Sequence, residues 1–204
     1  MASLGSKILH IRCVELGAKY GVRIHVRSTF ESRDGTWIVP EGEILEHPLV
    51  NAVTHDDSTA IFKLFPVPAG PAFLATLFER LAERGVVVDI ITQSEHAEGQ
   101  RLAFSVPKED VPLARLTLRE ALGRETTVQV NEGLAKISVV GVGMRNHPGV
   151  AARFFRTLAR ENVAIQIVTT SEIKISAVIE RERLPAAAQA LHAEFGLDRA
   201  ETSG

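Results

Sequence analysis

An internal repeat is the feature of this sequence that most constrains its fold. Shifting the chain by 77 positions aligns Pro71–Glu95 with Pro148–Glu172, and ten of the 25 aligned pairs are identical. Unrelated segments of this length would share about one or two residues. Both copies also end on the dipeptide Ser-Glu. The sequence therefore predicts that one supersecondary unit occurs twice in the chain.

Each copy shows the same succession of apolar patterns. Apolar residues at helical spacing come first, and Gly85 and Asn162 follow them at the position that favours a left-handed helix end. The β-branched runs "VVVDII" and "VAIQIV" then predict strands. A further strand and a second amphipathic helix follow in both copies, with Pro112 and Pro185 near the start of that helix.

This order predicts an α+β fold made of two ferredoxin-like βαββαβ modules in tandem, with the helices on one face of antiparallel sheets. A closing strand, "TTVQV", follows the first copy, whereas the polar "DRAETSG" follows the second. We therefore expect an earlier segment such as "HPLVNAVTHD" to complete one sheet, so that the modules share strands. The expected divisions are a leading segment (1–42), a first module (43–131) and a second module (132–204).

The leading segment is different from the repeats. "MASLGSKILHIRCVELGAKYG" has the pattern of an amphipathic helix, and "VRIHVRSTF" has that of a strand. One helix and one or two strands do not bury a core alone, so this piece should belong to another domain or pack on a partner. We expect Cys13 to be a small core residue of that helix.

Composition and motifs exclude several classes of function. The formal net charge is -2 and the chain has one Tyr and one Trp, which argues against a nucleic-acid surface. A single cysteine excludes an internal disulfide and a thiolate zinc site, and no apolar run approaches the ~20 residues of a membrane span. The seven histidines are scattered, and no nucleophile elbow or P-loop is present. We expect a cytoplasmic protein without catalytic residues, metal site, nucleic acid or membrane partner.

The strand-to-helix loops and the Ser-Glu ends are the candidate binding elements. Glycines in "GVGMRNHPG" allow close backbone approach, and helix-start amides suit a carboxylate. Hydroxyls and a carboxylate at the end of the next strand could accept an ammonium group. Together these groups fit a free α-amino acid, although they could also simply terminate loops. Asp89 interrupts one apolar run, either because it faces water or because it flanks a cationic ligand together with Glu95.

A long stretch of the second copy carries a family resemblance. "ISVVGVGMRNHPGVAARFFRTLARENVAIQIVTTSEIKISAVI" closely resembles the second ACT module of bacterial aspartokinases. The first 30 residues, followed by "GTWIV", resemble the end of their catalytic domain and its exit into the regulatory half. The first module is a looser match, since the family's Asp-x-Pro-Gly turn is Ala-Gly-Pro-Ala at 69–72.

The resemblance implies an effector site in each module. In the first module it points to the residues that match the lysine pocket of lysine-sensitive family members and to the strand end beside them: Phe73, Leu74, Asp89, Thr92, Gln93, Ser94 and Glu95. In the second module the matching residues are Met144, His147, Pro148, Gly149, Val150, Thr170, Ser171 and Glu172.

The resemblance also implies a function. Aspartokinases phosphorylate aspartate with ATP, and their ACT modules bind lysine or threonine and inhibit the kinase. The expected partners are a free amino acid, a second copy of the chain and an aspartokinase catalytic subunit. Because most of a catalytic domain is missing, we expect no kinase activity from the chain alone, and ATP and Mg only in that missing domain. The chain would be a regulatory subunit or a piece of the enzyme. Two alternatives stay open: a dimerisation module without effector control and a stand-alone amino-acid sensor.

Overall fold

A computed structural model of the chain describes residues 9–32, 34–39, 50–141 and 149–197. Five α-helices and eight strands lie in these ranges. In chain order they are α1 (Ile11–Tyr20), β1 (Ile24–Val26), β2 (Thr36–Ile38), β3 (Ala52–Val67), α2 (Pro71–Glu83), β4 (Ile91–His96), β5 (Gly99–Pro107), α3 (Val111–Ala121), β6 (Thr127–Val140), α4 (Val150–Arg160), β7 (Ile165–Thr170), β8 (Lys174–Glu180) and α5 (Leu184–Glu194).

Six of the strands form one antiparallel sheet in the order β4-β5-β3-β6-β8-β7. The two long central strands serve both repeats. Ala52–Asp56 of β3 pair with Lys136–Val140 of β6, and Ile61–Phe65 of β3 pair with Thr127–Asn131 of β6. The first half of the sheet therefore consists of β4, β5, the end of β3 and the start of β6. The second half consists of β7, β8, the end of β6 and the start of β3. We use "first half" and "second half" in this sense, each with its two helices.

Each half has its own core between its helices and one sheet face. The first core includes Phe62, Phe104, Leu77, Leu81 and Leu118, all at most 2% exposed. The second core includes Ile137, Phe154, Leu158, Ile179 and Leu191, all 0% exposed. This arrangement confirms the α+β class with ferredoxin-like modules. Where one module ends and the next begins stays a prediction, because β3 and β6 run through both.

A third buried cluster joins the two halves. Ile61 and Leu134 alternate in sequence with residues of the helix-facing cores, so their side chains lie on the opposite face of the sheet. They pack with residues from both halves of the sheet: Ile90, Ala103, Ile167 and Val178. The sheet therefore curls until its two halves meet on the face without helices. Burial of each large aliphatic side chain there contributes about 1.5–3 kcal/mol.

The local signals at helix ends are confirmed. Gly85 and Asn162 adopt φ values of 76° and 52°, which end the preceding helices in the left-handed conformation. Pro112 and Pro185 occupy the first turn of α3 and α5. Proline is tolerated there because its missing N–H would have no partner in the helix.

One predicted strand starts later than expected. The run "VVVDII" begins at Val86, but β4 begins at Ile91. The hydroxyl of Ser105 accepts a hydrogen bond from the backbone N–H of Ile90 at 3.0 Å, while the Asp89 N–H bonds to the Ser105 carbonyl at 3.2 Å. The Ile90 N–H thus bonds to the side chain of Ser105, whereas in a regular β-ladder it would bond to a backbone carbonyl.

The leading segment contains α1 and a two-stranded hairpin of β1 and β2. The rings of His25 and Trp37 stack across this hairpin at 4.0 Å. The expectation that Cys13 is a core residue is wrong, because its side chain is exposed. Among residues 12–20 of α1, only Gly17 is buried. None of the helices in the described ranges combines the length and the apolarity that crossing a membrane requires.

Candidate functional site

The end of β4 and the start of α2 lie at the same end of the sheet. Gln100 of β5 pairs with Val67, the last residue of β3, and also with Glu95 near the end of β4. The loop of residues 68–70 leaves β3 at this point and leads into α2. The first-half residues Phe73, Leu74, Ser94 and Glu95 therefore lie at the same end of the sheet.

A cavity of about 710 Å³ opens at this end of the first half. Phe73 at the start of α2, Glu98 and Gly99 of the β4–β5 hairpin, and Thr126 before β6 contribute to its lining. Gly99 has a φ of 127°, and a Cβ atom there would come within 2.9 Å of the Pro66 Cβ. Glycine is therefore required where the hairpin closes over β3. The volume is within the range of small-molecule sites.

The other predicted residues of the first half differ in their side-chain contacts within the chain. The hydroxyl of Ser94 is 3.1 Å from Nε2 of His96, and the side-chain amide of Gln93 donates to the side chain of Gln100. Leu74 is half-buried against the first core, and Thr92 is half-buried on β4. Glu95 is exposed, and no ion pair of its carboxylate is found among the described residues.

The second half is described only in part at the matching end. Met144, His147 and Pro148 lie outside the described residues. Gly149 precedes α4 with a φ of 104°. Val150 is 1% exposed and belongs to the second core, so only its backbone is available to a ligand.

The β7–β8 turn of the second half lies beside the end of β6. The N–H of Gly141, which directly follows β6, donates to the carbonyl of Ile173 at 2.9 Å. Thr170, Ser171 and Glu172 are exposed at this turn. The Ser171 hydroxyl accepts from the Ile173 N–H at 3.4 Å, which shapes the turn. The sequence-predicted Ser-Glu end is thus close to the start of the strand-to-helix loop in this half too.

Within one chain, Asp89 and Glu95 do not flank a common ligand. They are six residues apart along an extended segment, which corresponds to roughly 20 Å. Asp89 lies at the opposite end of β4 from Glu95, beside Ser105. Its Oδ2 atom accepts a hydrogen bond from Nζ of Lys136 at 2.5 Å. Instead of flanking a ligand together with Glu95, Asp89 therefore forms an ion pair with Lys136 of β6.

Lys136 is a residue that the sequence reasoning missed. It is 8% exposed and lies on the face of β6 away from the helices. With Asp89, Asp56 and Lys174 it lines a cavity of about 440 Å³ between the halves. The available signal was the lysine inside the apolar run "LAKISVV", which parallels the aspartate inside "VVVDII".

The residue that matches Asp89 in the second copy also contacts a lysine. Oε1 of Gln166 accepts a hydrogen bond from Nζ of Lys63 on β3 at 3.2 Å. Both polar interruptions of the repeated strand therefore reach across to a lysine on a central strand of the sheet. Elsewhere, no three side chains of the metal-ligating types cluster within the described ranges.

Comparisons with known proteins agree with this geometry. The family of ACT domains matches residues 137–195. The aspartokinase of Geobacillus stearothermophilus is 38% identical over 198 residues, which cover 97% of this chain and 48% of that protein. The chain thus spans about half the length of the curated relatives it matches.

Solved structures extend the comparison to the fold. The regulatory subunit of aspartate kinase from Thermus thermophilus has a TM-score of 0.68 and 34% identity, with 72% of this chain and 99% of that chain covered. E. coli aspartokinase III has a TM-score of 0.74 and 25% identity, with 96% and 44% covered. By its repeated ferredoxin-like halves, its ACT match and these relatives, the chain belongs to the aspartokinase family and represents its regulatory ACT region.

Proposed function

We propose that this chain binds a free amino acid, lysine or threonine, and thereby controls the phosphorylation of aspartate by an aspartokinase. The observation that carries the proposal is the cavity of about 710 Å³ at the end of the first half, where Phe73 and the β4–β5 hairpin meet. Among the structural neighbours, E. coli aspartokinase III forms a T-state complex with lysine and aspartate and an R-state complex with aspartate and ADP.

The chemistry of this end suits a zwitterion. The backbone amides at the start of α2 can donate to the ligand carboxylate. The exposed carboxylate of Glu95, at the same end of the sheet, can accept from the ligand ammonium group. The second half offers the matching amides after Gly149 and the matching carboxylate of Glu172. We propose these as the ligand groups of the two sites.

A second copy of the chain would complete the first-half site. In the described part of the sheet, β4 is an edge strand whose outer side has no partner strand. Antiparallel pairing of β4 with the same strand of a second copy, centred on Thr92, would bring Asp89 of each copy opposite Glu95 of the other, because both are three residues from Thr92. The homodimer would thus restore the pair of carboxylates that one chain keeps apart.

Regulation requires that the ligand prefer one arrangement of the paired modules over another. We expect no kinase activity from this chain alone; its output would be a change in the catalytic domain of an aspartokinase. The alternative of a dimerisation module without an effector rests on the Ala-Gly-Pro-Ala turn at 69–72, which lacks the aspartate of many family members. A stand-alone sensor would bind the amino acid without any kinase partner.

Calorimetric titration of the chain with lysine, threonine and methionine tests the proposal. We expect saturable heat with lysine or threonine, and its loss in a Glu95→Ala variant. Glu79→Ala, which removes an exposed carboxylate from α2, is the matched control and should bind like the wild type. Flat titrations of the wild type with all three amino acids would contradict the sensor and favour the dimerisation module.

A further inference from the structure

Lys136 is a buried cation whose burial depends on one carboxylate. Its side chain is 10% exposed, and it lies on the same strand face as Leu134, beside Val178 of the neighbouring strand. Lysine is almost never buried without a partner, because the desolvated ammonium group loses its hydration. The partner is Asp89, whose Oδ2 atom lies 2.5 Å from Nζ.

The charge of Lys136 depends on its ion-pair partner more strongly than the charge of Asp89 does. The side chain of Asp89 is 46% exposed, and the neighbouring Val87 is 61% exposed. Water can therefore solvate the carboxylate if Lys136 is removed, whereas the Lys136 ammonium has little access to water if Asp89 is removed. The solvent-exposed carboxylate of Asp89 is thus already neutralised by the buried ammonium group of Lys136.

The surrounding charges do not change this balance. Asp56 and Lys174 line the same cavity as the pair, so two carboxylates face two ammonium groups. Oδ1 of Asp56 accepts a hydrogen bond from the backbone N–H of Ser58 at 2.9 Å. A cationic group that approached Asp89 would meet the fixed ammonium of Lys136 at the same carboxylate, and like charges at such distances repel.

We infer that Lys136 is the internal counter-ion of Asp89 and that it selects against a cationic effector side chain at this edge of the sheet. Because the proposed antiparallel β4 pairing brings Asp89 of one copy opposite Glu95 of the other, the first-half site should prefer an amino acid with an uncharged side chain, such as threonine, to lysine. This inference rests on the proposed function, which it narrows to one class of effector. The second half has no such pair at the matching position, where Gln166 is uncharged.

The selectivity test compares two lysine variants by calorimetry. Lys136→Met keeps the volume of the side chain and frees the Asp89 carboxylate for a ligand. We expect the affinity for lysine relative to threonine to rise at least about tenfold. Lys63→Met removes the other lysine that reaches across the halves, where the partner is uncharged, and should leave the ratio unchanged. An unchanged ratio in Lys136→Met would overturn the inference.

Failure of the proposed function would look different. If the wild type bound neither amino acid, the proposed function would be contradicted, while lysine binding that appeared only in Lys136→Met would still support the counter-ion role. The absence of lysine binding in both proteins would overturn the selectivity role as well.

A second test needs no ligand. In a double-mutant cycle of thermal unfolding, Asp89→Ala should lower the midpoint by about 4–8 °C because it leaves a buried ammonium unpaired. Lys136→Met should change it by less than about 2 °C, and the double variant should resemble Lys136→Met. Additive effects of the two substitutions would show that the residues are not coupled, and would overturn the assignment of Lys136 as counter-ion.

Discussion

The two halves of the molecule share a backbone plan but differ in charge at the strand position that Asp89 occupies in the first half and Gln166 in the second. In the first half, Asp89 binds the buried ammonium of Lys136. In the second half, the uncharged side-chain oxygen of Gln166 accepts a hydrogen bond from the half-buried Lys63. Both halves have the same backbone arrangement because both copies of the repeat retain the same pattern of apolar residues. The change from the Asp89 carboxylate to the Gln166 amide alters the charge at this strand position, while both halves keep the same fold. A duplicated unit can therefore diverge in chemistry at a strand position while its core stays the same.

The helix pairs of the two halves show a second difference. In the first half, Arg84 after α2 forms an ion pair with Glu120 of α3. In the second half, Arg153 of α4 donates to Glu194 Oε1 at 2.9 Å and to the Glu194 carbonyl, and its guanidinium lies 4.6 Å from the ring centroid of Phe195. The hydrogen bond from Arg153 lowers the pKa of the Glu194 carboxyl below its ordinary value of 4.5. These side-chain contacts are therefore more numerous between the second pair of helices than between the first.

The largest expected effect tests whether the halves are separable. Phe104→Ala in the first core and Phe154→Ala in the second should each lower the free energy of unfolding by about 3–5 kcal/mol, since both rings are fully buried. Because β3 and β6 belong to both halves, we expect one cooperative transition in each variant. Urea unfolding followed by circular dichroism measures both quantities.

Phe30→Ala is the control for these core variants, because that ring is 95% exposed and its removal should leave the transition unchanged. A two-step transition in the Phe104→Ala protein, with the second half unfolding at the wild-type midpoint, would show that the halves are independent in spite of the shared strands.

The next effect concerns the two sheet edges. Thr92→Lys places a charge at the centre of the proposed β4 contact and should raise the dimer dissociation constant at least about tenfold, or about 1.4 kcal/mol. Leu116→Lys, on an exposed face of α3, is the control. Thr169→Lys changes the matching position of β7 and should have a smaller effect. Sedimentation equilibrium compares the three, and equal effects at Thr92 and Thr169 would remove the distinction between the edges.

The smallest effect concerns the helix contacts and their pH dependence. Arg153→Met should cost about 1 kcal/mol near neutral pH, because it removes a partly buried charged hydrogen bond and the packing on Phe195. Since the folded-state pKa of Glu194 is lowered, this stabilisation is complete above 4.5 and is lost as the pH falls through the folded-state pKa.

Arg84→Met is the matched variant in the first half and should cost about 0.5 kcal/mol, because its ion pair is largely exposed. Thermal unfolding across the acid range gives both values. A constant difference between Arg153→Met and the wild type, from neutral pH to below the pKa of Glu194, would contradict the role of that carboxylate.

The parts of the fold that local signals determine could be predicted from the sequence. Gly85 and Asn162 end helices, and Pro112 and Pro185 begin them, because each acts on its own backbone. The repeat itself gave the order of the elements. The same order places Phe73, shortly after β3, and Glu95, near the end of β4, at one end of the sheet.

The pairing of Asp89 with Lys136 could not be predicted in this way. The two residues are 47 positions apart, and their contact depends on how the sheet curls. Strand periodicity places Lys136 on one face of β6, but it does not say that this face is covered by the other half of the molecule.

The central claim is that an amino-acid effector binds where two copies of this regulatory region meet along β4. Sedimentation velocity of the wild-type chain, with and without saturating threonine, tests it most directly, because a ligand that binds between two copies must strengthen their association. We predict that threonine tightens the dimer at least about fivefold. A dimer dissociation constant that is the same with and without threonine, and with and without lysine, would contradict the account.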